Sequence, residues 1–191
     1  MTQGDYAQAR RMREQALYYD KKLRFQHAVS GSLISLGVIC RLEGDYDQAE
    51  AFLEKASSVC YEFNLLDENS RFYLGCVKLH SRDFAQARLC FIEHIKINQK
   101  YNSQINIGES LIGLGAVTAG LLQYERSARL ASAGKVVQDA LSYTMPPSDL
   151  LEIDPLLQIA REQLGEAKFD DLQTEGRAMT MEQAVAYALE E

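Results

Sequence analysis

Leucine, glycine and small residues return along this chain at one fixed offset. Gly37 precedes Ala49 by twelve residues, Gly75 precedes Ala87 by twelve, and Gly115 precedes Ser127 by twelve; each glycine follows a leucine (Leu36, Leu74, Leu114). Neighbouring apolar positions keep helical intervals. Leu33 lies three before Leu36, Leu53 and Ala56 lie four and seven after Ala49, and Phe91 lies four after Ala87. Residues three, four and seven apart share one face of a helix. Each copy therefore predicts a pair of helices, the first built around Leu-Gly and the second around a small residue where another helix comes close.

The starts of the second helices are nearly identical to one another. GDYAQARRM begins at Gly4, GDYDQAEAF at Gly44 and RDFAQARLC at Arg82, pairing Asp5 with Gln8, Asp45 with Gln48 and Asp83 with Gln86. An acid at N-cap accepts an orphan N–H of the first turn, and a glutamine at N3 reaches back to the cap's own N–H. An aromatic follows each cap (Tyr6, Tyr46, Phe84), then an alanine (Ala9, Ala49, Ala87). A fourth start, Gln123-Tyr124-Glu125-Arg126-Ser127, loses the acid and keeps the aromatic and the small residue.

Leu-Gly, a later Ala, then an aliphatic or aromatic and a second Ala resemble the tetratricopeptide repeat, a helix-turn-helix unit. The spacing is long: Gly37 to Gly75 is 38 residues and Gly75 to Gly115 is 40, against about 34 in the common form, so the helices are expected to be longer than usual. Units of that length resemble the tetratricopeptide arrays of MalT-like and LuxR-type bacterial regulators and related signal-transducing ATPases. The tail is similar to the way those proteins end, with RSARLASAGKVVQDALSYTMPPSDLLEID followed by AREQLGEAKFDDLQTEGRAMTMEQAVAYALEE. Pro155 departs from that resemblance, standing where an uninterrupted helix is expected; it starts a helix capped by Asp154 or kinks one.

The expected fold is all-α, a right-handed superhelical stack of tetratricopeptide helix-turn-helix repeats with a C-terminal helical cap. The array spans 1–145, with a partial first repeat at 1–24 and repeats near 25–64, 65–104 and 105–145; the cap spans 146–191. Ser148 or Asp154 begins a cap helix that Gly165 stops. Glu166 to Gln173 forms a second, and Thr180 with Gln183 makes a capping box for a third, whose Ala184, Tyr187 and Ala188 form a stripe. These helices are expected to cover the exposed face of the last repeat. The first repeat shows a second helix, Asp5 to about Tyr19, with no first helix ahead of it. That reads as a C-terminal fragment of a larger protein, and makes a homodimer through the open N-terminal repeat an expectation.

Composition adds exclusions. The chain has 191 residues, 47% hydrophobic and 25% charged, with a net charge of -7. No run approaches the ~18 consecutive apolar residues of a membrane span, and MTQGDYAQARRMREQA is a charged helix rather than a leader. A cytoplasmic location is expected. Cys40, Cys60, Cys76 and Cys90 fall at core-like helical positions with no close pair, as reduced thiols.

Candidate chemistry is sparse. G-x-x-x-x-G-K-[ST], H-E-x-x-H and G-x-S-x-G are all missing, so no catalysis and no cofactor is expected. Cys76, His80, Cys90 and His94 form a zinc-type set, but on two antiparallel helices the cysteines share a level while the histidines stand roughly 13 Å apart along the axis; no metal site is expected. His27, alone before a helix, reads as a surface residue. The basic runs RRMR (10–13) and KKLR (21–24) read as solvated faces in an acidic chain, and direct nucleic-acid binding is not expected.

What remains is the groove of the stack, lined by first helices. Counted from Leu-Gly, the inward positions are Ile34, Val38 and Arg41, then Phe72, Cys76 and Leu79, then Ile112, Ala116 and Ala119. This lining lacks the lysines and asparagines that hold a peptide carboxylate, and suits an amphipathic helix or apolar segment from a protein partner, including another domain of the parent. A small-molecule effector site of a few apolar residues and one charge such as Arg41 stays open. In ESLIGLGAVTAG, 109–120, the small residues admit a close neighbour. The resemblance implies the sensing or regulatory end of a bacterial transcriptional regulator or signalling ATPase. The alternative is a general assembly scaffold unconnected to transcription.

Overall fold

Seven consecutive helices meet at turns built on one plan. The computed structural model describes residues 3–67 and 69–190; Met1 and Thr2, at the start of the expected partial repeat, and Glu191, at the end of the expected cap, lie outside them. Among the described residues the regular structure is helical, with α1 Gln3–Lys22, α2 Gln26–Glu43, α3 Tyr46–Glu62, α4 Ser70–His80, α5 Phe84–Lys100, α6 Gln104–Gly120, α7 Tyr124–Ala140, α8 Asp154–Leu164, α9 Glu166–Arg177, α10 Met181–Leu189 and one 3-10 turn at Pro147–Asp149. After each of α1 to α7 one residue turns left-handed: Arg24, Gly44, Asn64, Arg82, Asn102, Leu122 and Ser142. The next residue's N–H then reaches back five positions, as Asp45 does to the Cys40 carbonyl and Gln123 to the Thr118 carbonyl. This closure satisfies carbonyls that the helix end leaves free. Only Gly44 and the two asparagines are favoured there by type.

The caps follow the expected acids with one difference. Asp45 accepts from the Gln48 N–H at 3.2 Å and Asp83 from the Gln86 N–H at 3.1 Å. The Gln48 side chain, however, donates to the Asp45 carboxylate rather than to the cap's backbone, its carbonyl accepting from Arg10 at 2.6 Å. The carboxylate is the stronger acceptor, and the cap's own N–H is already spent on the Cys40 carbonyl at 2.9 Å. Asp5 lies inside the first turn of α1, which begins at Gln3, and is not its cap.

Compactness divides the chain within α4 into residues 1–77 and 78–191. In the first unit α1 packs on α2 and α2 on α3, around Leu17, Val29, Leu33, Leu36 and Ala56. The twelve-residue offset has a direct cause here. A Cβ built on Gly37 would stand 3.2 Å from the carbonyl oxygen of Ala49 and 2.6 Å from Leu53 Cγ, so α2 and α3 touch at the glycine.

The second unit repeats that contact: a Cβ on Gly115 would stand 3.2 Å from the Ser127 carbonyl and 3.0 Å from Ala131 Cβ. The small residues of α6 also receive aromatic rings from α5. Phe91 fills the space a side chain at Gly113 would need, and Phe84 does so at Gly120. The α3, α5, α6 and α7 helices are each 17 residues long, but α4 has 11, so the 38-residue spacing from Gly37 to Gly75 also draws on the seven residues between α3 and α4.

The tail folds onto this unit. α8, α9 and α10 all pack against α7, and α8 and α10 also reach α6. Pro155 stands in the first turn of α8, where its missing N–H costs nothing. Gly165 ends α8 with φ 75°. Thr180 and Gln183 form the reciprocal capping box of α10, and Ala184 and Ala188 are buried, with Val185 beside them. α9 runs to Arg177, past the expected Gln173, because Gly176 carries it directly onto the backbone of Arg129.

Candidate functional site

The nine inward positions divide by unit. On α2, Ile34 and Val38 are half-buried, and Ile34 and the side chains of Phe52 and Val59 pack over the first-unit core. Arg41, one further turn along, is fully buried, with its guanidinium 5.5 Å from the centre of the Tyr73 ring, a cation–π distance. On α4, Phe72, Cys76 and Leu79 are all buried. On α6, Ile112 is 5% exposed, Ala116 0% and Ala119 2%. Counted from Leu-Gly, Ile34 corresponds to Ile112 and Val38 to Ala116, so equivalent positions are open on α2 and covered on α6.

Covering α6 leaves a cavity of about 360 Å³ in the second unit. Its apolar wall includes Ile112 of α6, Met145 of the loop after α7, Leu157 of α8 and Phe169 of α9. Lys135 and Gln138 enter from α7 and Arg177 from α9, with Asp154 at the start of α8. Two polar atoms in this wall, Ser127 Oγ and Gln138 Nε2, are buried without a hydrogen-bond partner. Lys135 and Arg177 each stand 3.8 Å from a carboxylate oxygen of Asp139, a loose arrangement for half-exposed charges. Burial pushes the Asp154 carboxyl above the usual carboxylate range.

The same unit buries a second polar group. Tyr143 donates to the Glu109 carboxylate at 2.6 Å. Burial raises the Glu109 carboxyl; the Tyr143 bond opposes the shift and nearby Asp149 adds to it. Burial, then the bond to Glu109, pushes the Tyr143 hydroxyl well above its ordinary value.

The residues weighed as a zinc set have separate surroundings. His94 is buried with Nδ1 2.7 Å from Ser110 Oγ, whereas His80 is exposed. Among the described residues no group of three His, Cys, Asp or Glu is placed to hold a metal ion. The four cysteines are buried and none is in a disulfide, and Cys60 Sγ lies 2.9 Å from Ser30 Oγ. In the basic run 10–13, Arg10 is held by Glu43 at 3.2 Å and Glu14 at 3.3 Å, leaving Arg11 and Arg13 exposed. His27 is exposed. No described helix is long and apolar enough to cross a membrane.

Sequence reasoning passed over the cavity, although one residue signalled it. Ser127 replaces the alanine that the other copies carry against the Leu-Gly helix, and its hydroxyl is one of the two unpartnered atoms.

Residues 1–62, which hold α1, α2 and α3, match the family model described as Tetratricopeptide repeat. The match supports a tetratricopeptide domain, a non-catalytic scaffold whose stacked helices bind proteins. No curated protein and no solved structure matches the chain.

Proposed function

We propose that this chain is a non-catalytic protein-binding module and forms the C-terminal sensing or regulatory region of a bacterial transcriptional regulator or signalling ATPase, working in the cytoplasm. The observation that carries the binding role is the open face of α2, where Ile34 and Val38 stay half-buried in a tetratricopeptide unit. The partner is a protein segment with an apolar or amphipathic helical face, supplied by another domain of the parent or by a separate protein. In this reading Arg41, Phe72, Cys76 and Leu79 hold the helices in shape, Ala116 and Ala119 are core, and Ile112 faces the chain's own tail. The regulatory context rests on the E-G-R-A-M-T-M-E-Q-A-V run at 175–185 and on the long repeats.

In-cell photo-crosslinking tests it, with the crosslinking residue placed at Ile34 or Val38 and, as a control, at the exposed Ser58 on α3. A single protein segment captured at both α2 positions and lost on Val38→Glu is the expected result. Capture of a regulator's own ATPase or DNA-binding domain supports the regulatory reading; capture of subunits of an unrelated assembly replaces it with a general scaffold. Equal capture at Ser58, or none at α2, overturns the binding role.

α1 and the turn after it offer a separate observation for self-association: Met12 and Tyr18 of α1 and Leu23 of the turn are 64, 62 and 75% exposed. A second copy meeting the first through α1 is the proposed occupant. Light scattering should show a dimer that Leu23→Glu with Tyr18→Glu converts to a monomer; a monomeric wild-type chain refutes it.

A further inference from the structure

We propose that the cavity between the last helix pair and the C-terminal helices is a binding site for a small amphipathic carboxylate, a molecule with a compact apolar body and one anionic head. Nothing in the protein-binding role requires such a site, and the two stand or fall separately.

Volume sets the size of the occupant. At about 30 Å³ per water, 360 Å³ corresponds to roughly a dozen waters, and it falls at the lower end of the range for small-molecule pockets, about 300 to 1,000 Å³. Ile112, Met145, Leu157 and Phe169 make one side of it apolar. An apolar body displaces water from such a wall favourably.

Polarity sets the head group. The polar lining supplies strong donors, the Gln138 amide, the Lys135 ammonium and the Arg177 guanidinium, beside hydroxyls, the Gln173 amide and the Asp154 carboxyl. Gln138 Nε2 and Ser127 Oγ are buried without partners, and a buried hydrogen-bonding group left unmatched is costly. An acceptor-rich head is the complement. Lys135 and Arg177 share one carboxylate, that of Asp139, at 3.8 Å each, and Lys135 also donates to Gln138 Oε1 at 3.5 Å, which leaves the Gln138 amide N–H side turned away from it. Asp154 is the acid in the wall and stands exposed at the mouth, at the α8 N-terminus. With Asp139 counted, two cations stand with two carboxylates; the preference for an anion rests on the unpartnered Gln138 Nε2 donor and on the looseness of the Asp139 pairs. A larger hollow of about 450 Å³ beside Tyr124, Leu164 and Tyr187 is open to solvent and lacks an apolar enclosure.

The elements that close the cavity also give binding a mechanical consequence. α8 and α9 contribute Leu157, Phe169 and Arg177, while α7 contributes Lys135 and Gln138. A ligand bridging them ties the tail to the last helix pair and stabilises the folded chain by mass action.

Calorimetric titration of the whole chain with octanoate, octanol and octylammonium tests the assignment. Octanoate is expected to bind at one saturable site, at least about tenfold more tightly than octylammonium, and to raise the melting temperature. Lys135→Met together with Arg177→Met, both half-exposed positions, should weaken octanoate about tenfold with the unliganded melting temperature little changed. Leu157→Trp should fill the cavity and abolish binding; if it fails to fold by circular dichroism, Thr144→Trp at the exposed rim replaces it. Saturable octanol binding as tight as that of octanoate removes the carboxylate from the proposal and overturns it. Binding unaffected by the filled cavity, or no saturable binding of octanoate, overturns the site itself.

Discussion

The two units use the same helix-pair contact and finish it differently. In the first, Gly37 sets α2 against Ala49 and Leu53 of α3, and the next face of α2, with Ile34 and Val38, is left half open. In the second, Gly115 sets α6 against α7 in the same way, but 13 of the 17 residues of α6 are buried, because α5 and α7 flank it and α8 and α10 also pack on it. A repeat cannot bury its apolar face alone. The second unit adds its own tail to the stack, and the first leaves Ile34 and Val38 half-buried, the face that the proposed function gives to a partner. The helix pairs themselves are built alike, and the added covering of the second comes from helices C-terminal to it.

Removing the aromatic that fills the α6 glycine notch should have the largest effect. Phe91→Ala empties the space over Gly113 and is expected to cost about 3 to 5 kcal/mol in denaturant unfolding, since Phe91 is fully buried. A loss below 1 kcal/mol would mean that α5 and α6 do not meet there. Gly176→Val comes next. A Cβ at this position meets the Arg129 backbone, which side-chain rotation cannot relieve. About 2 to 3 kcal/mol is expected, with hydrogen exchange faster in α9 and unchanged in α1 to α3. Equal acceleration in both units would erase the distinction between them.

The buried Glu109 gives the second unit a pH signature. Its carboxyl titrates above the ordinary value of about 4.3, chiefly through burial. Folding therefore favours the protonated form: the contribution is fully present below the ordinary value and is lost as pH rises through the raised one. Glu109→Gln should remove that decline and gain stability at neutral pH relative to wild type. Tyr143→Phe, which strips the carboxylate of its donor, should cost about 1 to 3 kcal/mol at neutral pH and less below pH ~4. Thermal melts across pH read both, and identical pH profiles for Glu109→Gln and wild type contradict the assignment. The smallest effect belongs to the turns. Leu122 is 72% exposed and holds φ 62°, a conformation that costs a leucine about 1 to 2 kcal/mol. Leu122→Gly is expected to raise stability by about 1 kcal/mol or less, since glycine also loses more backbone entropy.

The helix pairs were legible because their signals are local and repeated. Leu-Gly, the small residue twelve positions on and the Asp caps at 45 and 83 each act within one pair of helices, and each has a direct counterpart in a contact or hydrogen bond. The left-handed turns at Arg24, Arg82, Leu122 and Ser142 were not legible, because backbone closure imposes a conformation that those residue types do not favour. Nor was the unequal exposure of the inward positions. Whether Val38 or Ala116 is covered depends on the helices packed around each, some of them far along the chain, and neither residue carries that information. The cavity had one trace in sequence, Ser127 at an alanine position; Gln138 became meaningful only once α7, α8 and α9 surrounded it.

The contrast between an open α2 face and a covered α6 face is tested most directly by thiol reactivity at equivalent positions. Val38 and Ala116 each follow Leu-Gly, and the four native cysteines are buried. With Val38→Cys and Ala116→Cys labelled separately under native conditions, Val38→Cys is expected to react far faster than any native thiol, and Ala116→Cys only as fast as the chain unfolds. Comparable rates at the two positions would contradict the account.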